Sequence, residues 1–151
     1  MNKILHIETD LSIKAIYSST CENPLERPLF LSGVSAGFPS PADDYLDRKL
    51  DLNEHLVKNP AATFFVRVAG DSMTGAGIND NDILVVDRSL EPSSNNIVIA
   101  AVNGELTVKR LVKNKKSCRL IAENPDYPPL EITEEMPLEI WGVATYAIHS
   151  L

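Results

Sequence analysis

Asn103-Gly104 stands between two apolar runs, Ile97 to Val102 and Leu106 to Val112, and this arrangement narrows the available folds more than any other feature. A two-residue connection between antiparallel strands adopts a primed turn with positive φ at both central positions, and Asn followed by Gly tolerates that backbone best. The dipeptide therefore predicts a β-hairpin. Comparable β-branched and aromatic runs recur at Thr63 to Val68, Ile83 to Val86, Arg119 to Ala122 and Leu138 to Ile148, punctuated by Asn, Asp, Gly and Pro. Short strands spaced in this way favour a compact, mainly β, mostly antiparallel domain.

Upstream of Pro60 the pattern differs. Residues 1 to about 36 mix short apolar stretches with polar breaks and prolines, carry three basic and four acidic side chains, and read as an extended N-terminal arm. Gly37-Phe38-Pro39-Ser40-Pro41 marks a boundary, because each proline fixes φ and removes a backbone donor. Asp51-Leu52-Asn53-Glu54 opens a short helix, with an acidic cap and a glutamate three residues on, and Pro60 is expected to close it. The expected division is an arm over 1–36 and a folded domain over 37–151.

The 151 residues, 44% hydrophobic and 23% charged, suffice for one domain with a sizeable core. Fourteen basic against twenty-one acidic side chains leave a net charge of −7, which repels a nucleic-acid backbone and argues against direct DNA binding. The basic run Lys113-Asn114-Lys115-Lys116 reads as a solvated hairpin loop. Cys21 and Cys118 lack zinc-site spacing and suggest a reducing compartment, while His6, His55 and His149 are scattered and read as surface or packing residues. Asp80-Asn81-Asp82 lacks the glycine and later glutamate of a calcium loop and reads as a turn. No metal and no cofactor are expected. No segment reaches the roughly 20 apolar residues that span a bilayer, and the expectation is a cytoplasmic chain without a membrane partner.

The chemistry centres on Ser72 and Lys109. Gly70 allows a tight bend after the run Phe64 to Val68, which can present the Ser72 hydroxyl beside the backbone N–H groups of Asp71 and Ser72, placed as an oxyanion hole. Lys109 lies within Leu106-Thr107-Val108-Lys109-Arg110-Leu111-Val112, where strand alternation sets Thr107, Lys109 and Leu111 on one face and turns Arg110 toward solvent. A serine hydroxyl needs a base, and a buried lysine can act as one. Lowering a lysine pKa from about 10.4 to roughly 7 or 8 takes about 4 kcal/mol of environmental bias, which desolvation can supply. Two plainer readings compete: Ser72 as the cap of a turn through Gly77, and Lys109 as an exposed strand lysine.

Gly70-Asp71-Ser72-Met73, Gly77-Ile78-Asn79-Asp80-Asn81-Asp82-Ile83-Leu84-Val85-Val86-Asp87 and Glu105-Leu106-Thr107-Val108-Lys109-Arg110-Leu111, in this order and spacing, resemble the UmuD branch of the LexA/UmuD self-cleaving serine peptidases. The similarity extends to Phe38-Pro39-Ser40-Pro41, Asp51-Leu52-Asn53 and Trp141-Gly142-Val143. The resemblance implies Ser72 as nucleophile, Lys109 as general base and Ala36-Gly37 as the bond cut in the chain itself. UmuD relatives usually carry Cys-Gly there, whereas other members of the wider family carry Ala-Gly.

The resemblance further implies stimulation by a RecA nucleoprotein filament, a homodimer, and a shortened product that joins a UmuC-type translesion polymerase in the SOS response. A LexA-like repressor is not expected, since Pro24 and Pro28 interrupt the 36 residues ahead of the cut and no helix-turn-helix module fits. The rival reading is a noncatalytic subunit that binds a polymerase or a filament.

Overall fold

The computed structural model describes residues 12–19, 26–30 and 46–151. In chain order the strands are β1 (Ile13–Ser18), β2 (Glu26–Phe30), β3 (Leu46–Asp51), β4 (Thr63–Val68), β5 (Ile83–Asp87), β6 (Ile97–Val102), β7 (Glu105–Lys113), β8 (Cys118–Ile121), β9 (Leu130–Ile132) and β10 (Leu138–Ile148). One short helix, α1 (Leu52–Leu56), follows β3. The chain divides into two units, one of residues 1–20 with 59–151 and one of residues 21–58.

In the smaller unit β2 pairs antiparallel with β3, and α1 continues directly from β3. The Asp51 carboxylate accepts the Asn53 N–H at 2.9 Å, satisfying one of the donors that a helix start leaves open. The helix closes earlier than Pro60. Val57 already has extended backbone angles, and Pro60 instead opens a separate 3-10 turn over Pro60–Ala62, where its missing N–H costs nothing.

The larger unit is an eight-stranded sheet in the order β1-β4-β5-β10-β6-β7-β8-β9, with every neighbouring pair antiparallel. The mainly β, mostly antiparallel fold read from the sequence is the fold observed. Asn103 and Gly104 have φ of 51° and 82°, the two positive angles of a primed turn, and Val102 pairs with Glu105 across it. Strand β6 is buried on both sides. Val98, Ala100 and Val102 enter a cluster with Leu111, Leu120 and Val143, while Ile99 enters the opposite cluster with Val66, Met73, Leu84, Leu106 and Val108. This explains why Ile97 to Val102 is uniformly apolar rather than alternating.

Four strands, β1, β2, β3 and β9, escaped the sequence pattern. Strand β1 lies within the stretch read as an arm, yet it pairs with β4 at the sheet edge and buries Ile13 and Ile16. The three-residue β9 is too short to carry a periodic signal. The bond Ala36-Gly37 and the boundary Gly37 to Pro41 lie outside the described residues, as do His6 and Cys21.

Candidate active site

The turn after β4 is held from several sides. The Ala69 N–H donates to the Ser12 carbonyl at 2.8 Å, and the Gly70 N–H donates to Asp80 Oδ1 at 2.8 Å. Gly70 itself has φ of 79°, a left-handed value that a side chain would strain. Met73 is buried in the same cluster as Leu106 and Val108 of β7, so the residue after Ser72 anchors the turn to the core. A 3-10 turn over Thr74–Ala76 follows and ends at Gly77, φ 75°. Its N-cap is Met73 and it has no side-chain cap, so Ser72 does not serve as the cap.

Ser72 is 7% exposed, and Lys109 Nζ lies 3.4 Å from its Oγ. This is looser than the usual 2.6 to 3.2 Å for a nucleophile and its base, as substrate-free sites often are. Lys109 is half-buried, and its Nζ also donates to Thr107 Oγ1 at 2.8 Å and to the Val108 carbonyl at 3.0 Å. Thr107 meets Lys109 because residues two apart on a strand share a face. Ser12 completes the set: its Oγ bonds Thr107 Oγ1 at 3.1 Å and accepts the Val108 N–H at 3.3 Å. Ser12, Ala69, Gly70, Asp71, Ser72, Lys109 and Tyr127 line a cleft of about 300 Å³.

Among the described residues, neither the Asp71 nor the Ser72 backbone N–H is taken up by an acceptor of the protein. The Asp71 carboxylate instead accepts from the Tyr127 hydroxyl at 2.6 Å. That bond and the negative charge of Asp71 push the Tyr127 pKa above its ordinary value. Arg110 departs from expectation. Rather than pointing freely into water it is half-buried, paired with Glu123 and donating to the Asn95 carbonyl.

The remaining candidates resolve as structure. Asp80 accepts from Gly70 and pairs with Lys14, and Asp82, 2% exposed, accepts from the Asn79 N–H and bonds His149 Nδ1 at 2.7 Å. Among the described residues no cluster of three or more His, Cys, Asp or Glu side chains is placed to hold a metal. None of the described helices is long and apolar enough to cross a membrane. Thr107 was within reach of the sequence through strand alternation, whereas Ser12 and Tyr127 come from distant segments with no local signal.

The model of the peptidase S24-like family matches residues 28–145, most of the chain and every element of the cleft except Ser12. The chain belongs to the peptidase S24-like family. Its S24 relatives include protein MucA of Salmonella typhimurium, 46% identical over 122 residues that cover 80% of this chain and 83% of that protein. Protein SamA of Salmonella typhimurium strain LT2 is 49% identical, covering 81% and 84%, and protein ImpA of Salmonella typhimurium is 44% identical, covering 82% and 83%. These S24 proteins are of the UmuD type, the branch that the motifs resemble. The LexA repressor of Xylella fastidiosa strain M12 is 38% identical over 122 residues, which cover 57% of that longer protein. S24 proteins are self-cleaving serine peptidases.

Proposed function

We propose that this chain cuts itself between Ala36 and Gly37, with Ser72 as nucleophile and Lys109 as general base, and that it acts in SOS mutagenesis. The observation that carries the reading is the 3.4 Å approach of Lys109 Nζ to Ser72 Oγ within a cleft. A neutral amine has two N–H groups and one lone pair. Thr107 Oγ1 and the Val108 carbonyl each accept an N–H of Lys109, and the Ser72 hydroxyl lies within reach of the same nitrogen.

Lys109 takes the Ser72 proton as Oγ attacks the Ala36 carbonyl carbon, and the Asp71 and Ser72 amides bind the oxygen that becomes negative. The bond to Gly37 breaks, and the leaving amine receives the proton from Lys109. Water, deprotonated by the same amine, then hydrolyses the Ala36 ester and frees Ser72. Because the substrate is tethered, its effective concentration lies in the millimolar range, so cutting is limited by how often the arm enters the cleft. A RecA filament accelerates it by favouring that pose, each tenfold needing about 1.4 kcal/mol.

The product beginning at Gly37 carries eleven basic and seventeen acidic residues, a net −6 against −7 for the intact chain. Processing therefore changes surface and geometry rather than field. In this reading the protein is a cytoplasmic homodimer whose shortened form joins a UmuC-type polymerase, in keeping with its MucA, ImpA and SamA relatives.

The test is incubation of the purified chain at alkaline pH, where more Lys109 is neutral, followed by intact mass measurement. A break after Ala36 that is lost in both Ser72→Ala and Lys109→Ala is expected. Intact chain throughout, even with the filament present, would instead favour a noncatalytic subunit.

A further inference from the structure

The loop Glu123 to Tyr127 is stitched to the turn that carries Ser72. The Gly75 N–H donates to the Glu123 carbonyl at 2.7 Å, the Asn124 side-chain amide donates to the Asp71 carbonyl at 3.0 Å, and the Tyr127 hydroxyl donates to the Asp71 carboxylate at 2.6 Å. A Cβ on Gly75 would stand 2.5 Å from the Glu123 oxygen, so the seam closes only because that residue has no side chain. Glu123 is in turn paired with Arg110, the residue after Lys109 on β7. The loop thus ties the turn holding the serine to the strand holding the lysine.

Asp71 is gripped at both ends. Its carbonyl accepts from Asn124 and from the Thr74 hydroxyl at 3.1 Å, and its carboxylate accepts from Tyr127. Fixing the side chain and the carbonyl of one residue leaves its peptide planes little freedom, and these planes carry the N–H groups of Asp71 and Ser72. Preorganised donors stabilise a developing oxyanion far more than donors that must reorient during the reaction.

We infer that Tyr127 is a positioning residue for the self-cleavage reaction, holding Asp71 so that the two backbone N–H groups stay aimed at the oxygen of the scissile carbonyl. The inference rests on the reading of Ser72 and Lys109 given above. The hydrogen bond to Asp71 first, and then the negative charges of Asp71 and Asp126, hold the Tyr127 pKa above its ordinary value.

The experiment measures self-cleavage of the full chain against pH in the wild type, Tyr127→Phe, Asp71→Ala and the double variant. Each single change is expected to slow cutting about tenfold while the midpoint of its rise with pH stays in place, since Lys109 keeps its partners. The double variant is expected to be no slower than either single one, because both remove the same bond. A Tyr127→Phe rate equal to wild type, losses that multiply, or a displaced midpoint would overturn the inference. A wild type that never cuts would defeat the underlying reading instead, which separates the two failures.

Discussion

Ser12 Oγ lies 3.1 Å from Thr107 Oγ1, joining side chains ninety-five positions apart directly behind the amine of Lys109. Thr107 receives both the Ser12 hydroxyl and the Lys109 amine. Replacing it with the isosteric valine, Thr107→Val, removes the acceptor without opening a cavity. The buried Ser12 hydroxyl then loses a partner, and the fold is expected to lose about 1 to 3 kcal/mol by denaturant titration. Self-cleavage is expected to slow about tenfold, measured by product mass, as the amine loses its orientation.

Lys109→Arg separates charge from basicity. Guanidinium keeps the positive charge but never gives up its proton within the stability range of a protein. No cleavage is expected at any pH, with the circular dichroism of the sheet retained. Alkaline cleavage by this variant would remove Lys109 from the role of base.

Gly142 on β10 stands just ahead of Val143, where the pairing of that strand with β5 begins. A Cβ there would sit 2.7 Å from Val86 Cγ1 and 3.0 Å from the Asp87 carbonyl oxygen, and the branched Val86 is fully buried. Gly142→Ala is expected to destabilise the fold by about 1 to 3 kcal/mol through overpacking, read as a lower Tm with no change in the pH midpoint of cleavage.

Asp80 bridges the Gly70 turn and β1. The Gly70 N–H first, and then Lys14, hold its carboxyl below the ordinary carboxylate value. A depressed folded pKa gives stability that is present above the unfolded value of about 3.9 and is lost as pH falls through the folded value. Acid unfolding below about pH 4 is expected to be shallower in Asp80→Asn than in wild type, measured by urea midpoints across that range.

Asp87 follows the same sign. Burial opposes its ionisation, but hydrogen bonds from Ser89 and Asn59 outweigh that cost and leave its carboxyl below the ordinary value. Its contribution is likewise present at neutral pH and fades in acid.

The strands that could be read from sequence are those whose order is local. Asn103-Gly104 demands positive φ wherever it occurs, Asp51 offers an acceptor to the helix start two residues on, and Thr63 to Val68 is apolar and branched enough to be a strand in many surroundings. Strand β1 was not legible, because Ser12 to Ser18 has no pattern stronger than its neighbours. It becomes a strand only because β4 offers an open edge and the core accepts Ile13 and Ile16.

The sequence by itself determined the hairpin that carries Lys109, the turn that carries Ser72, and the family to which both belong, because turn chemistry and strand alternation act over a few residues. The tertiary structure alone decided that the two side chains approach within 3.4 Å, that Ser12 and Thr107 stand behind the amine, and that Tyr127 grips Asp71. Such contacts depend on the register and curvature of an eight-stranded sheet. Those are set by the packing of the whole core rather than by any short stretch of chain.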